Sequence, residues 1–262
     1  MPLVTSDLDG TLIPLQPDEE ARVALARIRD LVAAGRFRLA YVTGRHLEHA
    51  VDGVHRFGLP IPVAIGSAVG TSVHWLRDGV WVADADYERS IATMPGLAEP
   101  AAIRSALRAV SPLRLQGEAE QARFKVSYTF DGVLSDDLLA SMGELLAPVG
   151  RTRLVASRDP VTGDDLLDVL PADVGKETAV RHLEARLHDG AERVVFAGDS
   201  GNDRSALLMG TRSIVVGNAA PKLRAELRAL ADEGGLGGRV FFARAHYAAG
   251  VLEGLRYHGV GH

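Results

Sequence analysis

Apolar and polar positions along the first third of the chain change period in a regular rhythm. Leu3–Ser6 is a short β-prone run, and Pro17-Asp18-Glu19-Glu20 then marks a helix start with acidic residues in its first turn. Ala21, Leu25, Ile28, Leu31 and Val32 recur at helical spacing, with Gly35 as the stop. A second apolar run, Phe37–Val42, leads to a helix with Leu47, Ala50, Val51, Val54 and Phe57 on one face, and Pro62–Ile65 is a third short run. This β-α-β-α-β order predicts a parallel sheet with helices packed on it. The rhythm breaks at Val73–Leu76 and Val80–Val82, which the Asp78-Gly79 pair joins as a β-hairpin.

From about residue 88 to 168 the pattern is mixed. A helix carries Ile103, Leu107 and Val110, Phe124–Tyr128 reads as a strand, and Asp136–Leu146 reads as a helix. Strands are expected near Arg153–Ala156 and Leu166–Leu170. The earlier rhythm then resumes with a helix over Asp173–His188 and strands at Val194–Ala197 and Ile214–Val216. Helices over Pro221–Leu230 and Tyr247–Tyr257 flank a loop at Gly234–Gly238, which lacks phosphate-loop spacing. The chain therefore reads as an α/β core formed by residues 1–86 and 169–262, with a smaller α/β module, 87–168, inserted between the halves. No repeat or low-complexity segment is visible.

Composition narrows the field. At 262 residues, 47% hydrophobic and 24% charged, the chain has the balance of an ordinary globular protein. A net charge of −5 and the absence of a long basic run make nucleic acid an unfavourable partner. The absence of cysteine removes disulfides, thiol catalysis and thiolate metal sites. No signal-peptide pattern opens the sequence, and no apolar run approaches the roughly 18 residues of a membrane span. The expectation is a cytoplasmic protein with a small-molecule ligand and no membrane partner; monomer and homodimer are left open.

Candidate chemistry sits at the strand ends. In Asp7-Leu8-Asp9-Gly10-Thr11 the side chains alternate, so Asp7 and Asp9 point the same way as the first strand runs out. Two adjacent carboxylates need positive charge nearby, which a hard divalent cation supplies. Two solvated aspartates at a strand end, or the Asp-x-Asp metal site of a glycosyltransferase, would read the same way locally. Three later motifs change the balance: Thr43-Gly44-Arg45, Lys176, and Gly198-Asp199-Ser200-Gly201-Asn202-Asp203. In an open parallel sheet the ligand site forms beyond the carboxyl ends of the strands, so these motifs converge there. Carboxylates, a hydroxyl, free backbone N–H groups and a cation are the parts phosphoryl transfer requires.

With these motifs in this order the chain resembles the haloacid dehalogenase superfamily of phosphatases. It is closest to the branch with a large α/β cap, and within it to sucrose-phosphate phosphatases and Cof-type sugar phosphatases. Leu39–Arg45, Lys125-Val126-Ser127-Tyr128, Gly198–Asp203 and Val216–Ala219 carry the likeness. The resemblance implies a Rossmann-like core with an inserted cap, and hydrolysis of a sugar phosphate through an aspartyl-phosphate. It implies Asp7 as nucleophile and Asp9 as general acid and base. Thr43, Gly44, Lys176 and Asn202 would hold the phosphate. Mg²⁺ would be bound by Asp7, the backbone carbonyl of Asp9 and Asp199, with Asp203 steadying the site. Ser67, Lys125, Tyr128, Asp164 and Asp165 are the residues expected to meet the sugar. His46, His49 and His55 lack metal-ligand spacing and are expected to be surface residues. The chain departs from sucrose-phosphate phosphatases at Ala68-Val69-Gly70, where an acidic residue is usual, and at Gly163-Asp164-Asp165, which lacks a basic one. A glycosyltransferase would not be accompanied by the later lysine and Gly-Asp-Ser-Gly-Asn-Asp motif. A non-catalytic sugar-phosphate sensor is disfavoured because no catalytic position is substituted.

Overall fold

Strands that are apolar on both faces need cover on both faces, and the arrangement of the chain follows from that need. The computed structural model describes residues 1–159, 162–187 and 194–261. The first half runs β1 (Leu3–Ser6), α1 (Glu19–Ala33), β2 (Arg38–Val42), α2 (Leu47–Arg56), β3 (Ala64–Ser67) and the hairpin β4 (Ser72–Arg77) and β5 (Val80–Ala83). The middle runs α3 (Ala85–Ala92), α4 (Pro100–Leu107), β6 (Leu113–Leu115), β7 (Val126–Phe130), α5 (Asp136–Leu146), β8 (Thr152–Arg158) and β9 (Asp165–Pro171). The last part runs α6 (Lys176–Leu187), β10 (Val194–Gly198), α7 (Arg204–Leu207), β11 (Arg212–Val215), α8 (Pro221–Glu233), β12 (Val240–Phe242) and α9 (Tyr247–Tyr257). His188, expected at the end of α6, lies outside the described residues.

The large sheet has the order β12-β11-β10-β1-β2-β3-β4-β5, parallel from β12 to β3 and antiparallel through the hairpin. Alternation along each strand feeds two cores. Val4, Leu39, Tyr41, Val195 and Ala197 pack with α1 and α9 on one face. Leu3, Ala40, Val42, Val194 and Phe196 pack with α3, α6 and α8 on the other. The second sheet, order β6-β7-β9-β8, is antiparallel and packs Val126, Tyr128, Leu167 and Val169 against α4 and α5. An α/β core with an inserted α/β layer is the fold class expected. No helix among the described residues is long and apolar enough to cross a membrane.

The seams differ from those read off the sequence. Residue 86 lies inside α3, and its Tyr87 and Ile91 pack in the core cluster that holds Ala40 and Val42. Residue 168 lies inside β9, which stays paired with β8 as far as Pro171. The pieces that escape sequence reading are α3, β6, α7 and β12.

Asp84 fastens the passage from the hairpin into α3. Its Oδ1 accepts the N–H groups of Asp86 (3.1 Å) and Tyr87 (3.0 Å), capping the helix. Its Oδ2 accepts Trp75 Nε1 at 2.7 Å and meets His182 Nε2 of α6, also at 2.7 Å. Burial opposes ionisation here, but the hydrogen bonds from Trp75, His182 and Tyr87 outweigh it and hold the carboxyl well below its usual range. A depressed carboxyl stabilises the fold above its unfolded-state value near 3.8, and that contribution is lost as pH falls toward the folded-state value. Asp84→Asn should therefore destabilise the chain by about 1–3 kcal/mol in urea denaturation at neutral pH. The difference from the parent should narrow as the pH drops below about 4; a gap that stays constant down to pH 2 would contradict this account.

Candidate active site

Parallel strands end on one edge of a sheet, and the motifs flagged in the sequence lie on that edge. Asp7 follows β1, Thr43 follows β2, Ser67 ends β3 and Asp199 follows β10. Lys176 opens α6 and is fully buried, its Nζ 2.9 Å from Asp7 Oδ1 and 2.7 Å from Asp203 Oδ1. Burial alone would discharge this lysine, but Asp203 and Asp7 outweigh it and keep the ammonium protonated.

Three carboxylates share this space. Asp7, Asp199 and Asp203 each offer an oxygen within 4.8 Å of the others'. Burial pushes the Asp7 carboxyl up to about 7; Lys176 opposes the shift, and the charges of Asp203 and Asp9 add to it. Burial, then Asp203 and Asp7, raise Asp199 as well. Were all three ionised, one ammonium would leave an excess of two negative charges; the raised carboxyls reflect that excess, which a divalent cation would neutralise. The all-oxygen donor set fits a hard cation such as Mg²⁺. The backbone is shaped to admit this cluster. Gly10 turns at φ +73°, and a Cβ there would collide with Asp199 Oδ2. A Cβ on Gly198 would come 2.6 Å from Asp203 Cγ. Asp203 is held rigidly, its Oδ2 accepting the N–H groups of Asp199 and Ser200, each at 3.0 Å, and the Ser200 hydroxyl at 3.2 Å.

Asp9 stands apart from the cluster. Arg45 grips both of its oxygens, Nε to Oδ2 at 2.7 Å and Nη2 to Oδ1 at 2.6 Å. Thr43 is buried and its hydroxyl accepts the Arg45 N–H at 3.2 Å. The turn Ala68-Val69-Gly70 adopts left-handed backbone at all three residues and pins this motif, Ala68 N–H donating to Arg45 O and Val69 N–H to Thr43 O. Gly44 faces Asn202, whose Nδ2 would lie 3.8 Å from a Cβ at that position. Asn202 also accepts the Ser200 hydroxyl through Oδ1.

Three nearby residues had no role in the sequence reading. Arg45 pairs with Asp9, the Thr11 hydroxyl donates to Asp199 Oδ1 at 3.0 Å, and Asn218 bridges Gly10 O and the Tyr247 N–H. Each stands in a quoted motif, but only the fold shows its partner. The inserted layer is tied to the core by Arg153 of β8, which reaches Glu177 Oε1 at 2.6 Å and Ser205 Oγ at 3.2 Å.

The residues expected to meet a sugar are less convergent. Ser67 is buried and lines a cavity between the core and the inserted layer. Lys125 is 3% exposed, and its ammonium is bound by Ser127 Oγ and Asp168 Oδ1. Tyr128 points the other way, into the core of the inserted layer with Ile103 and Leu107, because successive residues of β7 face opposite sides. Asp165 accepts the Leu134 N–H, and Asp164 is exposed at the hairpin end beyond β8. His55 and His49 are exposed, and His49 and the half-buried His46 line the cavity with Ser67.

The family model for sucrose-6F-phosphate phosphohydrolase matches residues 2–259. A HAD-like hydrolase of Nitrosococcus oceani is 34% identical over 97% of this chain and 71% of its own length. The mannosylfructose-phosphate phosphatase of Agrobacterium fabrum is 31% identical over 98% of this chain and 97% of its own. Among solved structures, the Synechocystis sucrose-phosphatase in complex with sucrose and phosphate aligns over 98% of each chain, with a TM-score of 0.82 at 24% identity, a likeness of fold.

The buried lysine gives a direct test of the electrostatics. Removing one member of a buried ion pair leaves the others uncompensated, at a cost of about 3–5 kcal/mol. Lys176→Met should lose stability on this scale in chemical denaturation, and added Mg²⁺ should recover part of it by restoring positive charge beside Asp7 and Asp199. A variant as stable as the parent would show that the carboxylates do not depend on this ammonium.

Proposed function

The chain belongs to the sucrose-6F-phosphate phosphohydrolase family of haloacid dehalogenase phosphatases, and on that premise we propose that it hydrolyses a small sugar phosphate through an aspartyl-phosphate on Asp7. The observation that carries the reading is the Asp7 carboxyl held 2.9 Å from a fully buried lysine, in a cluster with more carboxyls than cations.

In the proposed sequence Asp7 Oδ attacks phosphorus as the ester P–O bond breaks. Asp9 gives a proton to the leaving alkoxide, then takes one from the water that attacks the aspartyl-phosphate and releases phosphate. Both Asp9 oxygens accept from Arg45 here, so one must be released for that proton transfer. Lys176, the Thr43 hydroxyl, the Gly44 N–H and Asn202 hold the phosphoryl oxygens. Asp7, Asp199 and the Asp9 carbonyl would bind Mg²⁺, with Asp203 steadying Lys176 and the Asp199 loop. When bound, the cation neutralises charge on the phosphoryl oxygens and draws Asp7 toward its ionised form.

Sucrose 6-phosphate is the leading substrate, with mannosylfructose phosphate and other glycosyl phosphates beside it. The site acts in the cytoplasm in this reading. A glycosyltransferase use of Asp7 and Asp9 is not adopted, because the two side chains are separately engaged by Lys176 and Arg45. The sensor alternative is not adopted, because none of the expected catalytic positions is substituted.

Two measurements test the proposal. Turnover of a sugar phosphate panel should require Mg²⁺, stop on chelation and return on its addition; full activity of metal-stripped enzyme would sink the metal assignment. Asp7→Asn should lower kcat by about 10⁴-fold or more in a chain that still melts cooperatively, as losing an essential nucleophile does in other covalent enzymes. Substantial activity in that variant would exclude the covalent route.

A further inference from the structure

The turn after Asp9 has to be a glycine, and that requirement creates a second one. Gly10 takes positive φ, and any side chain there would collide with Asp199. Glycine also has the least restrained backbone of any residue, so its neighbours must hold the turn in place. The Gly10 N–H donates to Ile13 O at 2.9 Å, which fixes the peptide joining it to Asp9. The Gly10 carbonyl accepts Asn218 Nδ2 at 2.6 Å, which fixes the peptide joining it to Thr11. The Thr11 hydroxyl in turn donates to Asp199 Oδ1 at 3.0 Å.

Asn218 lies beyond β11, 208 residues from Gly10 in the chain. Its other arm is anchored as well, Oδ1 accepting the Tyr247 N–H at 2.8 Å. A primary amide can donate and accept at once in this way, whereas a carboxylate only accepts. The backbone on both sides is shaped around the contact. Tyr247 is buried at φ +49°, a conformation uncommon for a bulky residue that surrounding contacts must enforce. A Cβ on Gly217 would collide with Arg244 O, and the Gly217 N–H donates to Ala245 O at 2.8 Å. The segment before α9 has a brace of its own, Glu253 Oε2, which accepts the N–H groups of Arg244 at 2.8 Å and Ala245 at 3.0 Å. That brace supports the loop independently, and the donor arm of Asn218 is aimed at a single carbonyl in the catalytic turn.

We propose that Asn218 is a positioning residue: by holding the Gly10 carbonyl it fixes where Asp9 and the Thr11 hydroxyl stand relative to Asp7 and Asp199. The inference rests on the phosphatase reading and deepens it. Asn218 acts through the turn and not on the leaving group, so its loss falls on the chemical step rather than on substrate affinity.

The test uses the full chain with two esters, p-nitrophenyl phosphate and the sugar phosphate turned over fastest from a panel. Asn218→Asp keeps an acceptor for the Tyr247 N–H but sets a carboxylate oxygen against Gly10 O. Asn218→Ala removes both bonds. Glu253→Ala loosens the same segment without touching Gly10 or Asn218. Each Asn218 variant should lower kcat for both esters by about tenfold or more with KM within threefold, because small misplacements of reacting groups are costly. Amide hydrogen exchange, read by mass spectrometry without substrate, should rise in the peptide spanning residues 8–13. Glu253→Ala should lower the melting temperature with kcat within twofold of the parent. If one Asn218 variant fails to melt cooperatively, the other carries the test. A kcat within twofold of the parent in the Asn218 variants, or a loss confined to KM, overturns the proposal while the functional reading stands. Unchanged exchange at residues 8–13 overturns it too, as does an equal loss of kcat in Glu253→Ala, which would mark general loosening. A parent enzyme that hydrolyses no phosphate ester overturns the functional reading and this inference together.

Discussion

An ammonium group with no exposure, fixed between two carboxylates, is the constraint on which the site depends. Lys176 can stay charged in the interior only because Asp7 and Asp203 lie within 2.9 Å of it. Those two residues come from the ends of β1 and of the turn after β10, and the lysine comes from the first turn of α6. The ion pairs therefore hold three chain segments, distant in sequence, in one register. Asp203 is itself locked by two backbone N–H groups, so its position is set before any ligand arrives. Glycines at 10 and 198 are part of the same constraint, because a side chain at either would collide with Asp199 or Asp203. Preorganised charge of this kind is what phosphoryl transfer draws on.

A second layer of contacts governs what reaches that charge. Arg153 reaches from β8 to Glu177, the neighbour of Lys176, and to Ser205, so the inserted layer is anchored close to the buried lysine. Arg45 meanwhile holds Asp9 by both oxygens. On the proposed mechanism, proton transfer by Asp9 needs one of those contacts released, which would couple the chemistry to movement of the Arg45 side chain. That turn is braced by the left-handed Ala68-Val69-Gly70 segment, a costly conformation for a β-branched residue that the surrounding contacts must enforce. The cavity lined by His46 and Ser67 shares this brace through Ala68.

How much of this was legible in the sequence depended on range. Apolar runs ending in Asp7, Thr43 and Asp199 predicted a common edge because parallel strands all finish on one side. The Asp78-Gly79 turn was legible because both residues take the positive φ that a tight hairpin requires. Tyr128 was misplaced although its parity was visible, since Lys125 and Tyr128 on one strand cannot face the same side. The strands β6 and β12, three residues each, are too short to show a period. The Arg45–Asp9 pair spans 36 residues, and the residues lining the cavity come from several elements. Neither arrangement leaves a local trace, so only the fold reveals them.

The central claim is that Asp7, poised beside Lys176, becomes covalently phosphorylated. Acid quenching during steady-state turnover of a sugar phosphate, followed by borohydride reduction and peptide mass spectrometry, reads this directly, because an acyl phosphate is reduced where a free carboxylate is not. The account predicts homoserine at position 7 in a substrate-dependent fraction of molecules, with Asp9 and Asp199 unmodified. Substrate-dependent reduction at another aspartate, or none at any under conditions of full turnover, would contradict it.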